Sequence, residues 1–233
     1  FRANREQDED QAEQRDRRQR HADDRAQEQA EMERLFNEAW QTLYDPKTTS
    51  AQKYQAVITL GGIAEMGYAP ACYLTGSLLL KGNPSAQVNP DVRRGLHYLE
   101  QAANQGILDA QHTLAEYLSE PTHSEFDILR AVNYWQTASQ NTTPQHLLLQ
   151  DHGRAEAMYR LACIYRDGLG MSADAIQAQL WLEQAINTDA LRVKALMNAD
   201  MAKAHPEPTP TPTDEIPIVS DKVAENALSP SRP

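Results

Sequence analysis

Residues 157–170 read AMYRLACIYRDGLG, and residues 71–82 read ACYLTGSLLLKG. Each stretch opens on Ala and carries a small residue five positions on, Ala162 and Gly76. Bulky apolar residues follow at seven and eight, Ile164-Tyr165 and Leu78-Leu79, and Gly stands at eleven, Gly168 and Gly82. A third copy starts at Ala110, with Leu114 and Ala115 at four and five, Tyr117-Leu118 at seven and eight, and Pro121 at eleven. Position four is Thr75 in the first copy and Leu161 in the last. Gly and Pro at the eleventh position both end helices.

The segments that follow agree as well. Gly95, Ala131 and Ala178 are each followed three residues later by an aromatic, Tyr98, Tyr134 and Trp181, and four beyond that by Ala102, Ala138 and Ala185. Small residues let paired helices approach closely, and the aromatic is placed to fill the gap against the next unit. One helix pair cannot bury its own apolar face, so the units must stack. The chain is read as a repeat array.

The pattern Ala157-x3-Leu161-Ala162-x2-Tyr165-x2-Gly168-x-Gly170, followed by Ala178-x2-Trp181-x3-Ala185, resembles the Sel-one-like repeat, an α-solenoid family close to the tetratricopeptide repeats. GLHYLEQAANQGILDAQ at 95–111 is similar to that family's second helix and following turn, with Ala102, Ala103, Gly106 and Ala110 in place. The resemblance covers residues 56 to about 187. It is fullest in the third unit, good in the first and degraded in the second, where 119–127 lacks the glycine loop. It implies an all-α, right-handed solenoid of antiparallel helix pairs, about three units with capping helices. It further implies protein–protein interaction, as a scaffold or adaptor, and names no partner. Exported members of the family cross-link each helix pair through cysteines, and no unit here has paired Cys.

Helix signals extend outward from the repeats. Met32, Leu35, Phe36, Ala39, Trp40 and Leu43 lie on one helical stripe, stopped at Asp45-Pro46. Ser50 is placed to cap a helix running to Met66 and ending at Gly67. Pro70 sits in the first turn of the next, which stops at Gly82, and Asn89-Pro90 reads as a cap with a first-turn proline. That helix ends at Gly106 in the C′ role. Further helices are expected at 108–119, 125–139, 154–167, 173–187 and 189–204, with no strand or hairpin signals between them. Residues 1–31 are almost wholly charged or amide-bearing, with i,i+4 pairs at Arg2/Glu6, Arg5/Glu9, Glu13/Arg17, Asp16/Arg20 and Arg20/Asp24. They form a solvated arm or spacer without a heptad seam. The domains expected are thus 1–31 (arm), 32–204 (solenoid, with a non-repeat insertion at 141–152) and 205–233 (a Pro/Thr-rich extended tail).

The 233 residues carry a formal net charge of −11, which argues against nucleic acid as partner. Cys72 and Cys163 stand ninety-one residues apart without metal-type spacing and read as small buried thiols, tilting the chain toward a reducing compartment. No apolar run has membrane-spanning length. Phe1 in place of an initiator Met points to a preceding segment, a cleaved signal or a membrane anchor. With an anchor there, seven Arg within 2–25 would favour a cytoplasmic flank. The expected location is cytoplasmic, membrane-tethered if such an anchor exists, with the periplasm left open.

Catalytic motifs are missing. Gly61-Gly62 lies in a helical pattern, where close helix packing is expected, and there is no Gly-x-Ser-x-Gly elbow. His146 and His152 share the insertion with Asp151 at no zinc spacing, and His97 and His112 have no evident carboxylate pair beside them. Glu116 and Glu120 read as a solvated helix face. No catalytic, metal or cofactor residues are assigned. The partner-binding candidates are Leu147, Leu148 and Leu149, apolar within the polar insertion, together with Met158 and Arg160. The functional expectation is a non-enzymatic module that binds a protein or peptide through the inner face of the solenoid or through 141–152. The alternative is a membrane-tethered spacer that positions a complex, and an enzyme whose site only the fold assembles is the distant third.

Overall fold

A computed structural model describes residues 2–142 and 153–204, with side chains from residue 13 of the first helix onward. Helix α1 spans Arg2–Tyr44, α2 Ser50–Glu65, α3 Ala69–Lys81, α4 Val92–Asn104, α5 Leu108–Ser119, α6 Ile128–Gln140, α7 Gly153–Asp167 and α8 Ala175–Ala204. A 3₁₀ turn covers Pro84–Ala86. There is no strand among the described residues, only an isolated bridge between Asn83 and Val88. The architecture is the all-α solenoid expected: α1–α2, α3–α4, α5–α6 and α7 with the first half of α8 form successive antiparallel pairs.

Arm and capping helix are one helix. No Gly or Pro lies between Arg2 and Tyr44, so α1 crosses residues 31–32 without a break and ends just before Asp45-Pro46. Residues 13–31 are exposed, and Glu13–Arg17 and Asp16–Arg20 pair at 3.8 and 2.5 Å. From Met32 onward, Phe36, Ala39 and Leu43 are buried against α2 and α3. The pairs at Arg2/Glu6 and Arg5/Glu9 lie outside the described side chains, as the tail from His205 lies outside the described residues.

The caps depart from the sequence reading in an informative way. Asp91, not Asn89, caps α4, its carboxylate accepting from the Arg94 N–H at 3.0 Å. Pro90 lies outside the helix and covers Gly82, where an added Cβ would come within 2.9 Å of Pro90 Cγ. Asp127 and Asp174 cap α6 and α8 at the same place in the unit, four residues before Gly95, Ala131 and Ala178 in turn. In each unit this Asp also donates its own N–H back to the first helix: Asp91 to Leu79 O (2.7 Å), Asp127 to Leu118 O (2.9 Å), Asp174 to Tyr165 O (2.8 Å). All three carbonyls belong to the eighth position after the unit's opening Ala. One residue type therefore starts the second helix and ties it to the first. Thr49 rather than Ser50 caps α2, in a capping box with Gln52. Asp189, with φ −156° and ψ 90°, interrupts α8 near the expected 187/189 boundary and accepts from the Arg192 N–H at 2.9 Å. The last stretch is thus a first helix of the repeat type.

Close approach occurs where the repeat asks for it. A Cβ on Gly76 would lie 2.9 Å from Gly95 O, and one on Gly95 would lie 2.9 Å from Leu80 N, so α3 and α4 cross backbone to backbone. Ala71, Ala110 and Ala157 are fully buried, as are Leu114, Leu161, Ala102, Ala138 and Ala185. Gly106 and Gly168 take positive φ after their helices. Tyr98 is buried, while Tyr134, Tyr165 and Trp181 are half-buried against the core. The aromatics bridge the core: Tyr134 packs against both the first and the second cluster, and Trp181 against both the second and the third. Gly61 and Gly62 are not at a close crossing, since a Cβ at either would meet nothing within 4 Å.

Candidate protein-binding surface

The first helices of the units face one another through a buried polar ladder. One residue before the opening Ala stands Asp109 in α5 and Glu156 in α7, both buried, and the matching position after the α8 break is Arg192. Two residues after the opening Ala stand Tyr73, His112 and Tyr159. The two positions act on one another electrostatically across units, Asp109 on Tyr73 and Glu156 on His112. Burial, and then the Asp109 charge, pushes the Tyr73 phenol up. Glu156 is held between Arg192 at 2.5 Å and Arg160 at 3.6 Å. His112 Nε2 lies 2.8 Å from the Gly153 carbonyl, which fixes the start of α7, and its ring meets Trp135 edge-on at 4.8 Å. Burial pushes the His112 imidazole below its usual range, against the opposing pull of Glu156 and the Gly153 carbonyl. His112 therefore does have carboxylates beside it, from its own helix and from the next unit. Helical spacing within one segment could not show this, because the second carboxylate lies across the insertion.

The second helices are tied by a repeated amide. Gln105 Nε2 donates to Gly67 O at 3.1 Å, and ten residues after Ala131, at the same place in the next unit, Asn141 Nδ2 donates to Gly106 O at 2.9 Å. Each amide satisfies the carbonyl of the preceding unit's C′ glycine. Between α4 and α6 lies a groove of about 540 Å3 lined by polar side chains that include Asn104, Asn133, Thr137 and Gln140. Arg130 and Glu100 form an ion pair across the same two helices.

Exposed apolar residues also follow the repeat. Two residues before Ala56, Ala131 and Ala178 stand Tyr54, Leu129 and Ile176, and two residues after Ala56 and Ala178 stand Ile58 and Leu180. All five are exposed, Leu129 at 69% and Ile176 at 74%. They share the outward flank of the second helices. Among the described residues, α3, α5 and α7 carry no exposed large apolar side chain.

The sequence candidates fall differently. Leu147, Leu148 and Leu149 lie outside the described residues, with His146, Asp151 and His152. Met158 is not a surface contact: it is buried with Tyr159, Ala185, Val193 and Leu196, its sulfur accepting from the Thr188 hydroxyl at 3.4 Å. The position one after the opening Ala points into the packing with the following helix. Arg160 is partly accessible at 27% and lies over the Tyr159 ring, but its guanidinium is engaged with Glu156. Cys72 is buried and its thiol pushed up by that burial, and Cys163 is half-buried; neither is in a disulfide among the described residues. Among the described residues no group of three or more His, Cys, Asp or Glu is arranged to hold a metal ion, and no helix is long and apolar enough to cross a membrane.

The same units are matched by a family model. Sel1 repeat matches residues 69–107 and 155–187, the pair α3–α4 and the pair of α7 with the first half of α8. Over these two pairs the chain matches the Sel1 repeat. The α5–α6 pair keeps the fold but lies outside the matched residues, as its Pro121 loop suggests. Among solved structures, the Sel1 repeat protein from Oxalobacter formigenes is similar at a TM-score of 0.52 and 25% identity, over 70% of this chain and 61% of that one. The protective antigen c5321 of uropathogenic Escherichia coli, which displays an SLR fold, is similar at a TM-score of 0.56 and 20% identity, over 77% of this chain and 35% of that one. The uncharacterized protein NMB1327 of Neisseria meningitidis serogroup B is 27% identical over 159 residues, 68% of this chain and 30% of that protein. The chain thus spans about a third of NMB1327 and of c5321. Sel1 repeat folds are commonly protein–protein interaction modules.

Proposed function

We propose that this chain is a non-enzymatic scaffold that holds a partner protein on the outward flank of its second helices. The observation that carries this reading is the recurrence of exposed Tyr54, Leu129 and Ile176 at one repeat position. Burying two side chains such as Leu129 and Ile176 against a partner contributes about 1.5–3 kcal/mol each. The first helices spend their polar groups on one another in the ladder, which leaves the inner face fewer free groups for a partner. A spacer role for the exposed half of α1 is compatible with this reading, since that half is held by its own ion pairs.

The test is affinity capture from native lysate with the full chain, with Leu129→Ser/Ile176→Ser, and with Leu147, Leu148 and Leu149 all changed to Ser. The expected result is one partner kept by the wild type and the triple variant and lost by the double variant. Loss with the triple variant alone would move the site to the 141–152 insertion. Capture of no specific partner by any form would overturn the scaffold reading.

A further inference from the structure

The outward flank is apolar at α2, α6 and α8, but it is basic at α4. The residues at the same two repeat positions there are Arg93 and His97, with Arg94 beside them, and all three are exposed. The chain as a whole carries −11, and Arg17, Arg20, Arg34, Arg130, Arg166 and Arg192 are all ion-paired. Arg93 and Arg94 form no ion pair and no side-chain hydrogen bond among the described residues. Two neighbouring, uncompensated guanidiniums on an acidic chain are a local charge that a carboxylate-bearing ligand satisfies well, because guanidinium and carboxylate match in fork geometry. Leu129 stands at the corresponding place on the next second helix and Ile176 on the one after. Arg93, Leu129 and Ile176 thus follow one another in a strip along the successive second helices α4, α6 and α8, where one extended segment would meet them in turn.

Resting on the flank assigned above, we propose that its occupant is an acidic peptide segment of the partner, with carboxylates on Arg93 and Arg94 and apolar side chains on Leu129 and Ile176. Charge selects the segment at α4, and apolar burial holds it at α6 and α8. A segment with carboxylates and no apolar side chains would be repelled by the net charge of the chain and held by nothing else. A basic segment would meet two like charges at Arg93 and Arg94, a cost that gives the strip its specificity.

The test needs no knowledge of the natural partner. A random 12-residue peptide library displayed on phage is panned against the full chain, and the selected consensus is synthesised and measured by fluorescence anisotropy. The pool is expected to gather Asp or Glu together with Leu, Ile or Phe. Affinity for the consensus peptide should fall at least tenfold with Arg93→Glu/Arg94→Glu and with Leu129→Ser/Ile176→Ser, and several-fold with the milder Arg93→Gln/Arg94→Gln. Lys81→Glu, at the end of α3, should leave it within twofold. Circular dichroism melts show that each variant is folded. A basic or neutral consensus, an acidic one indifferent to Arg93 and Arg94, or no selected peptide at all would overturn the proposal. A native partner lost with Leu129→Ser/Ile176→Ser but lacking any acidic segment would remove this inference and leave the scaffold reading in place.

Discussion

Two glycine pairs from which the sequence leads one to expect close helix packing behave oppositely in the fold. Gly76 and Gly95 lie at a crossing where any Cβ meets backbone within 2.9 Å, whereas Gly61 and Gly62 face open space. Gly76→Ala should destabilise the chain by about 1–3 kcal/mol through overpacking. Gly62→Ala should stabilise it by about 0.5–1 kcal/mol, by removing the helix cost of glycine. Urea denaturation of the two variants checks both signs, and destabilisation by Gly62→Ala would show that its face is occupied. His112 gives a prediction in pH. Its folded-state affinity for a proton is lowered by burial, so the unfolded chain binds the proton more readily. The contribution is complete above the unfolded value of about 6.5 and is lost as pH falls below it. The urea midpoint of the wild type should therefore drop between pH 7 and pH 5 by more than that of His112→Gln. An identical pH slope in both proteins would contradict the buried, neutral imidazole.

At the scale of the element, the second helices begin at an Asp that both caps and ties. Asp91→Ala should cost about 0.5–2 kcal/mol, and Asn89→Ala, which removes no cap, should change stability by less than about 0.5 kcal/mol. Thermal melts of the two variants would reverse in order if α4 began at Asn89-Pro90. The helices themselves were legible from the spacing of Ala, Leu and Gly, and even the break near Asp189 was readable from the helix signals on either side of it. Caps were less legible, because Asn89, Ser50 and their neighbours Asp91 and Thr49 are all residues that favour such positions. Only comparison of one unit with the next separates them: Asp recurs four residues before Gly95, Ala131 and Ala178, and Asn does not.

Across the whole molecule, register between units comes from two repeated contacts, the polar ladder on the first helices and the amide clamp on the second. Neither is visible within one unit, which is why His112 shows no evident carboxylate pair until the units are stacked. Arg192→Ala should cost about 1–3 kcal/mol by leaving Glu156 buried with a weaker partner, a figure kept below that of a fully buried pair because Arg192 is 37% exposed. The Glu156→Gln/Arg192→Ala double variant should recover part of that loss, and additive losses would place the two residues out of contact. The proposed scaffold function places partner binding on the outward flank of the second helices. Photo-crosslinking resolves this by position: p-benzoylphenylalanine is placed in the full chain at Leu129, at Ile176, at Glu116 on a first helix and at Leu148 in the insertion, and irradiated in cells. Crosslinks to one protein from 129 and 176, with none from 116 or 148, are the predicted result. Crosslinks from 116 or 148 alone, or none from any position, would contradict it.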